Sequence, residues 1–171
     1  MPDRAVPEIV TGDITTLNVD AIVNAANDRL APGGGVCGAI HRAAGPQLAR
    51  ACAELASCPT GQARITPGFD LQARHVIHAV GPIYRDGHQN EADLLASCYR
   101  SSLQLARDHG VNSIAFPCIS TGIYGYPLEA AARIALTVMA QWLAGTEPPR
   151  RIVCCCFSMR DAEVYRRLAS T

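Results

Sequence analysis

Three short stretches combine residue types that bind or react. The first is Gly12-Asp13-Ile14-Thr15. An Asp there can cap the turn that follows, its commoner use, or accept a hydrogen bond from an exocyclic amine. The second runs from Asn24-Ala25-Ala26-Asn27 to Gly33-Gly34-Gly35-Val36-Cys37-Gly38-Ala39-Ile40-His41. Two amides three apart each offer a donor and an acceptor, which suits sugar hydroxyls or an irregular backbone. The glycines that follow lead into a helical pattern. Consecutive N–H groups near a helix N-terminus form an anion site, and a flexible connection is the alternative. The third is Pro117-Cys118-Ile119-Ser120-Thr121-Gly122-Ile123-Tyr124-Gly125-Tyr126-Pro127. Its hydroxyls and amides can face a phosphate, and its tyrosines either enclose a ligand or pack on the core edge. Two glycine-rich strand-to-helix loops in one small domain suit a diphosphate held from both sides.

The elements that would position these loops alternate. Val6–Val10, Ala21–Val23, Ala63–Thr66, Val76–Val80, Ser113–Phe116 and Arg151–Phe157 are apolar, β-branched runs bounded by Gly, Pro and Asp, and predict strands. Several are apolar almost throughout, as strands covered on both faces are. Between them Ala39–Ala56 is helical with a break at Gly45-Pro46, and Asn90 starts a helix that runs to Asp108. Pro127 and Gly145 bracket a third helix, and Asp161–Ala169 forms a fourth. This pattern predicts a single three-layer α/β/α domain over residues 1–171, with a central mixed sheet. Ligands in such sheets bind beyond the carboxyl ends of the strands, where all three loops lie.

Composition narrows the function further. The chain has 171 residues, enough for one domain, and 49% are apolar. Fifteen basic residues, all Arg, balance fifteen acidic ones. The all-Arg usage fits a GC-rich genome. Zero net charge gives no general attraction to nucleic acid or to a membrane surface. No apolar run is long enough to cross a bilayer, and Met1-Pro2-Asp3-Arg4 lacks the apolar stretch of a signal peptide, so a cytoplasmic location is expected. The eight cysteines form no Cys-x-x-Cys pair, and Cys154, Cys155 and Cys156 alternate faces along a strand, so they cannot share a metal. They read as reduced apolar fillers. The loops match neither the Walker A nor the dinucleotide fingerprint, and no Gly-x-Ser-x-Gly elbow is present. His75 and His78 flank or occupy an apolar strand and read as structural.

Taken together, these motifs resemble the macrodomain family, and within it the MacroD-like hydrolase branch. The resemblance extends through Val19-Asp20-Ala21-Ile22-Val23-Asn24-Ala25-Ala26-Asn27, Gly38-Ala39-Ile40-His41-Arg42-Ala43-Ala44-Gly45, Cys58-Pro59-Thr60-Gly61, Val76-Ile77-His78-Ala79-Val80-Gly81-Pro82 and Phe116 to Pro127. It implies a macrodomain fold that binds ADP-ribose or O-acetyl-ADP-ribose. It also implies hydrolysis of O-acetyl-ADP-ribose and of mono-ADP-ribose esters on protein Asp or Glu. By the same analogy Asp13 and Ile14 contact adenine, and Phe157 packs on it. Asn27 and Gly33, Gly34, Gly35 and Val36 hold the distal ribose. Ser120, Thr121, Gly122, Ile123 and Tyr124 wrap the diphosphate, with Tyr124 closing the site. No metal or organic cofactor is implied, and a monomer acting on mono-ADP-ribosylated proteins is expected.

Two positions depart from the branch. Cys37 stands where these hydrolases usually carry the Asp thought to orient or activate water, and Pro32 stands where another Gly is usual. A thiol is a poorer hydrogen-bond acceptor than a carboxylate, and loss of a general base costs about 10²–10⁴ in rate. Hydrolysis can persist with the substrate's own phosphate helping to activate water. The chain can instead be a reader that binds without turnover. Cys37 can act as a nucleophile beside a helix N-terminus with His41 one turn on, or be a substitution made by design. A third class of function, RNA or poly(A) binding, is disfavoured by the zero net charge.

Overall fold

The computed structural model describes residues 5–171; the stretch read above for a signal, residues 1–4, lies outside them. The elements are β1 (Glu8–Thr11), a 3-10 turn (Ile14–Thr16), β2 (Ala21–Ala26), α1 (Gly35–Ala44), α2 (Pro46–Leu55), β3 (Ala63–Pro67), β4 (His75–Val80), α3 (Glu91–Asp108), β5 (Ser113–Phe116), α4 (Leu128–Ala144), β6 (Arg151–Cys156) and α5 (Met159–Ala169). The strands form one sheet in the order β1-β6-β5-β2-β4-β3. Every neighbouring pair is parallel except β3 with β4. The sheet is therefore mixed, with a single antiparallel edge.

Strand alternation divides the core into two layers. Ala21, Val23, Ile77, Ile114, Phe116, Ile152 and Cys154 point toward α3, α4 and α5. Ile22, Ala26, Val76, Val80, Ala115, Val153 and Cys155 point toward α1, α2 and the 3-10 turn. The run Cys154-Cys155-Cys156 follows the same rule: its outer two members join one layer and its middle member the other. All eight cysteines are unpaired.

The element boundaries differ from the sequence reading at informative points. β2 continues to Ala26, so Asn24 lies inside the strand and is buried rather than following it. Its polar side chain is tolerated because His78 sits directly opposite on β4, with Asn24 Nδ2 3.1 Å from His78 Nδ1. Thr66 Oγ1 lies 3.0 Å from the other ring nitrogen. Burial holds the His78 imidazole down to about 4, so the ring is neutral, and it serves as a structural histidine. α1 begins at Gly35 rather than Ala39, which places Cys37 in its first turn. Asn90 is left-handed and makes no side-chain cap; the adjacent Glu91 carboxylate serves the preceding loop instead. Pro127 is the cap of α4 rather than a residue of its first turn, and Ser158 caps α5 two residues earlier than expected. β1 begins at Glu8 rather than Val6, and β6 ends at Cys156, leaving Phe157 outside it.

Among the described residues no helix is long and apolar enough to cross a membrane. Ile40 is fully buried on α1 and anchors that helix to the sheet. Ile40→Ala is expected to destabilise the fold by about 2–5 kcal/mol, checked by urea unfolding.

Candidate functional site

Five parallel strands end on one edge of the sheet, and their loops gather there. At β1, Gly12 donates to the Cys156 carbonyl at 3.1 Å, and Cys155 Sγ donates to the Gly12 carbonyl at 3.4 Å. The next residue, Asp13, caps the 3-10 turn: its Oδ1 accepts from Thr15 N at 2.9 Å and from Thr15 Oγ1 at 2.7 Å. Both uses considered for Asp13 are compatible, because Oδ2 makes no hydrogen bond among the described residues. Phe157 leaves the end of β6 beside this loop with 92% of its surface exposed.

The glycine loop is built around Asn27. Its Nδ2 donates to the Ala31 carbonyl at 2.8 Å, and Ala31 N donates back to Oδ1 at 3.0 Å. These two bonds hold the loop while leaving Asn27 one donor hydrogen and one lone pair. Gly33, Gly34 and Gly35 are exposed, and Val36 is half-buried. The N–H groups of Gly33, Gly34, Gly35 and Val36 have no acceptor among the described residues. They lie at the N-terminus of a ten-residue helix, where the dipole favours negative charge. Gly38 explains why the turn requires a residue without a side chain: a Cβ there would meet the Gly33 carbonyl at 2.6 Å. Cys37 is 5% exposed; Asn24 Nδ2 lies 3.7 Å from its sulfur, and the sulfur lies 3.7 Å from the Ala31 carbonyl. Among the described residues no hydrogen bond joins Cys37 to His41. Burial lowers the His41 imidazole, and its Nε2 is buried without a partner.

The third loop is pinned from below. Ser120 has φ 69°, is buried, and donates its hydroxyl to the Pro82 carbonyl at 2.8 Å. Gly81 permits this approach, since a Cβ there would overlap the Ser120 side chain. Tyr126 N donates to the Ser120 carbonyl at 2.9 Å, and Thr121 Oγ1 to the Cys118 carbonyl at 2.9 Å. The N–H groups of Gly122, Ile123 and Tyr124 remain without an acceptor among the described residues. Ile123 is 94% exposed. The two tyrosines part company: Tyr126 is buried against Tyr84, with ring centroids 4.8 Å apart, whereas Tyr124 is half-buried at the site. Burial, then the neighbouring Asp28 and Cys37, raise the Tyr124 phenol. Asp28 carried no motif in the sequence that would have marked it.

A further residue braces this side. Glu91 is buried at the start of α3 and accepts from Arg85, Asp86 and Gly87 N at 2.9, 3.2 and 3.0 Å and from Gln89 N at 2.6 Å. These bonds fix the loop that begins at Tyr84, whose N–H donates to the Tyr124 carbonyl at 2.9 Å. The backbone donors hold the Glu91 carboxyl down at about 2.

A family profile described as Macro domain matches residues 23–135. A macro domain-containing protein of Chlorobaculum tepidum is 56% identical, covering 98% of this chain and 97% of its own. A protein of Klebsiella pneumoniae named O-acetyl-ADP-ribose deacetylase is 52% identical over 96% of this chain and 97% of its own. A variant of the Oceanobacillus iheyensis macrodomain, solved with ADPR, superposes with a TM-score of 0.91 at 44% identity, covering 95% of this chain and 90% of that one. The Trypanosoma brucei macrodomain in complex with ADP-ribose gives a TM-score of 0.89 at 44% identity, covering 98% and 72%.

Two outcomes follow from the geometry. Gly38→Ala is expected to lower the melting temperature by several degrees, because the new methyl displaces the Gly33 carbonyl; thermal unfolding reads this. Glu91 contributes stability that is complete above its unfolded value of about 4.3 and is lost as pH falls toward about 2. Urea midpoints measured from pH 4.5 down to 2 should therefore fall more steeply in the parent than in Glu91→Gln.

Proposed function

Since the chain belongs to the macro domain family, we propose that it binds ADP-ribose and hydrolyses ADP-ribose esters, both O-acetyl-ADP-ribose and the mono-ADP-ribosyl esters of protein Asp and Glu. The observation that carries this reading is the pair of loops with free N–H groups, Gly33–Val36 and Gly122–Tyr124, at neighbouring strand ends. Backbone donors and a helix dipole can bind a diphosphate without a basic surface, which suits a chain of zero net charge. The structures of relatives solved with ADPR and ADP-ribose support the same ligand class.

In this reading the free Oδ2 of Asp13 accepts from the adenine amine and Ile14 N–H donates to the ring. Phe157 covers one face of the base. Ser120 shapes the diphosphate loop from below, while Thr121, Gly122, Ile123 and Tyr124 enclose the diphosphate. Asn27 uses its remaining donor and acceptor on the distal ribose. Tyr124 closes over that ribose and helps to hold a water against the ester carbonyl. The substrate's phosphate assists in activating the water. The water oxygen then bonds to the acyl carbon and the ribose oxygen leaves, giving ADP-ribose and a carboxylic acid.

Cys37 favours a second reading, in which the chain is a non-catalytic ADP-ribose reader, because a thiol occupies the position where the MacroD-like branch places a carboxylate. Single-turnover release of ADP-ribose from a carboxylate-linked mono-ADP-ribosyl protein separates the two. It is measured on this chain and on Cys37→Asp, with ADP-ribose affinity determined for both. Hydrolysis predicts release within about tenfold of the Asp variant, well short of the 10²–10⁴ that loss of a general base costs. Binding by both proteins with turnover only by the variant would establish the reader and overturn hydrolysis.

A further inference from the structure

Six of the eight cysteines have settled surroundings. Cys37, Cys58, Cys98 and Cys155 lie within hydrogen-bonding reach of the carbonyls of Ala31, Pro59, Val80 and Gly12. Cys154 lies 3.4 Å from the Met139 sulfur, and Cys52 lies 3.6 Å from His78 Nε2. The remaining two, Cys118 and Cys156, are brought together by the sheet. β5 and β6 pair in parallel as far as Phe116 opposite Cys154; Cys118 lies two residues past the end of β5 and Cys156 two residues further along β6, and the two thiols are within hydrogen-bonding reach of one another. Phe116, Cys154 and Cys156 belong to the α3–α5 layer, and Cys118 packs against that same layer. Neighbouring strands lie about 4.8 Å apart, inside the Cα separation that a disulfide spans.

The two thiols also differ in a useful way. Cys118 is partly exposed and Cys156 is fully buried. The Cys156 thiol draws the Cys118 thiol below its ordinary range against the opposing effect of burial, and the Tyr165 phenol assists. The Cys118 thiol and burial together push Cys156 up. Cys118 is thus the accessible, more acidic member and Cys156 the protected one, the division of labour found between an attacking and a resolving thiol.

We propose that Cys118 and Cys156 form a hydroperoxide-sensitive dithiol whose closure to a disulfide weakens ligand binding at the adjoining loop. The Cys118 thiolate attacks the terminal oxygen of a hydroperoxide. An S–O bond forms, the O–O bond breaks, and the alkoxide (hydroxide, for hydrogen peroxide) leaves and takes up the proton that the Cys118 thiol had released, giving the alcohol or water. The Cys156 sulfur then attacks the sulfenic sulfur; the S–S bond forms, and the hydroxyl departs as water with the Cys156 proton. Two thiols lose two electrons and one hydroperoxide gains them. The disulfide acts on the loop through Cys118, whose carbonyl accepts from Thr121 N at 3.4 Å and from Thr121 Oγ1 at 2.9 Å. Turning Cys118 toward β6 shifts that acceptor at the root of the Gly122–Tyr124 donors. The effect on affinity rests on the proposed binding of ADP-ribose, whereas the cross-link does not.

The test treats the full chain with stoichiometric hydrogen peroxide, alkylates the remaining thiols and maps peptides by mass spectrometry. ADP-ribose affinity is measured by calorimetry on reduced, oxidised and re-reduced protein. The expected result is a Cys118–Cys156 linked peptide and an affinity about tenfold weaker, restored by dithiothreitol, with both effects absent in Cys118→Ser and Cys156→Ser. Should Cys156→Ser fail to fold, Cys118→Ser alone decides, its side chain being partly exposed. A map without that linkage, or a linkage that leaves affinity unchanged, overturns the proposal. Reduced protein that cross-links but never binds ADP-ribose refutes the functional reading and leaves the dithiol standing.

Discussion

Parallel pairing is the constraint on which the remaining organisation depends. The strands β1, β6, β5, β2 and β4 all run in one direction, so each connection between them must return to the opposite edge, over a face of the sheet or, before β4, through the antiparallel β3. That requirement places helices on both faces and buries the strands twice. It also collects the loops after β1, β2, β4, β5 and β6 on a single edge. Asp13, Asn27, Ser120 and Phe157 are far apart in sequence and meet there for this reason. The antiparallel β3 terminates the sheet and enters it from that same edge, where the segment before it donates from Cys58 N to the Asp28 carbonyl at 2.8 Å.

Within this frame the site relies on backbone more than on charged side chains. Two loops present N–H groups that no acceptor in the described chain satisfies, and each is held by a few local bonds: Asn27 to Ala31, Ser120 to Pro82, and Glu91 to the turn before α3. Unsatisfied donors on exposed loops are hydrated, so they carry little penalty in the free protein and remain available to an anion. Glycine is needed at two close approaches, Gly38 against the Gly33 carbonyl and Gly81 against Ser120. The same rigidity makes the site vulnerable to small changes at its base.

Strand and helix identities were legible in the sequence because the apolar periods are strong, and the three loops announced themselves by composition. The boundaries were less so, for physical reasons that can be named. Asn24 reads as the first residue after a strand, but its Nδ2 faces His78, 54 residues away, and only the register of β2 with β4 reveals that buried contact. The glycines before Cys37 read as a loop, yet α1 begins at Gly35, and within it Gly38 packs so closely onto the Gly33 carbonyl that a larger residue is excluded. Asn90 has the right chemistry for a cap but takes a left-handed conformation, while Glu91 satisfies four donors that precede it. The nearness of Cys118 to Cys156 is invisible to spacing, since it follows from the alignment of β5 with β6 and the course of the chain just past β5.

Phe157 and Ile123 stand almost entirely in water, at 92% and 94% exposure: one follows β6, the other lies in the loop after β5. Their hydration shells raise the heat capacity of the free protein. The proposed binding of ADP-ribose would cover them with a planar, partly apolar base and release that water, giving association a negative heat-capacity change. The enthalpy of that association would then become more favourable on warming.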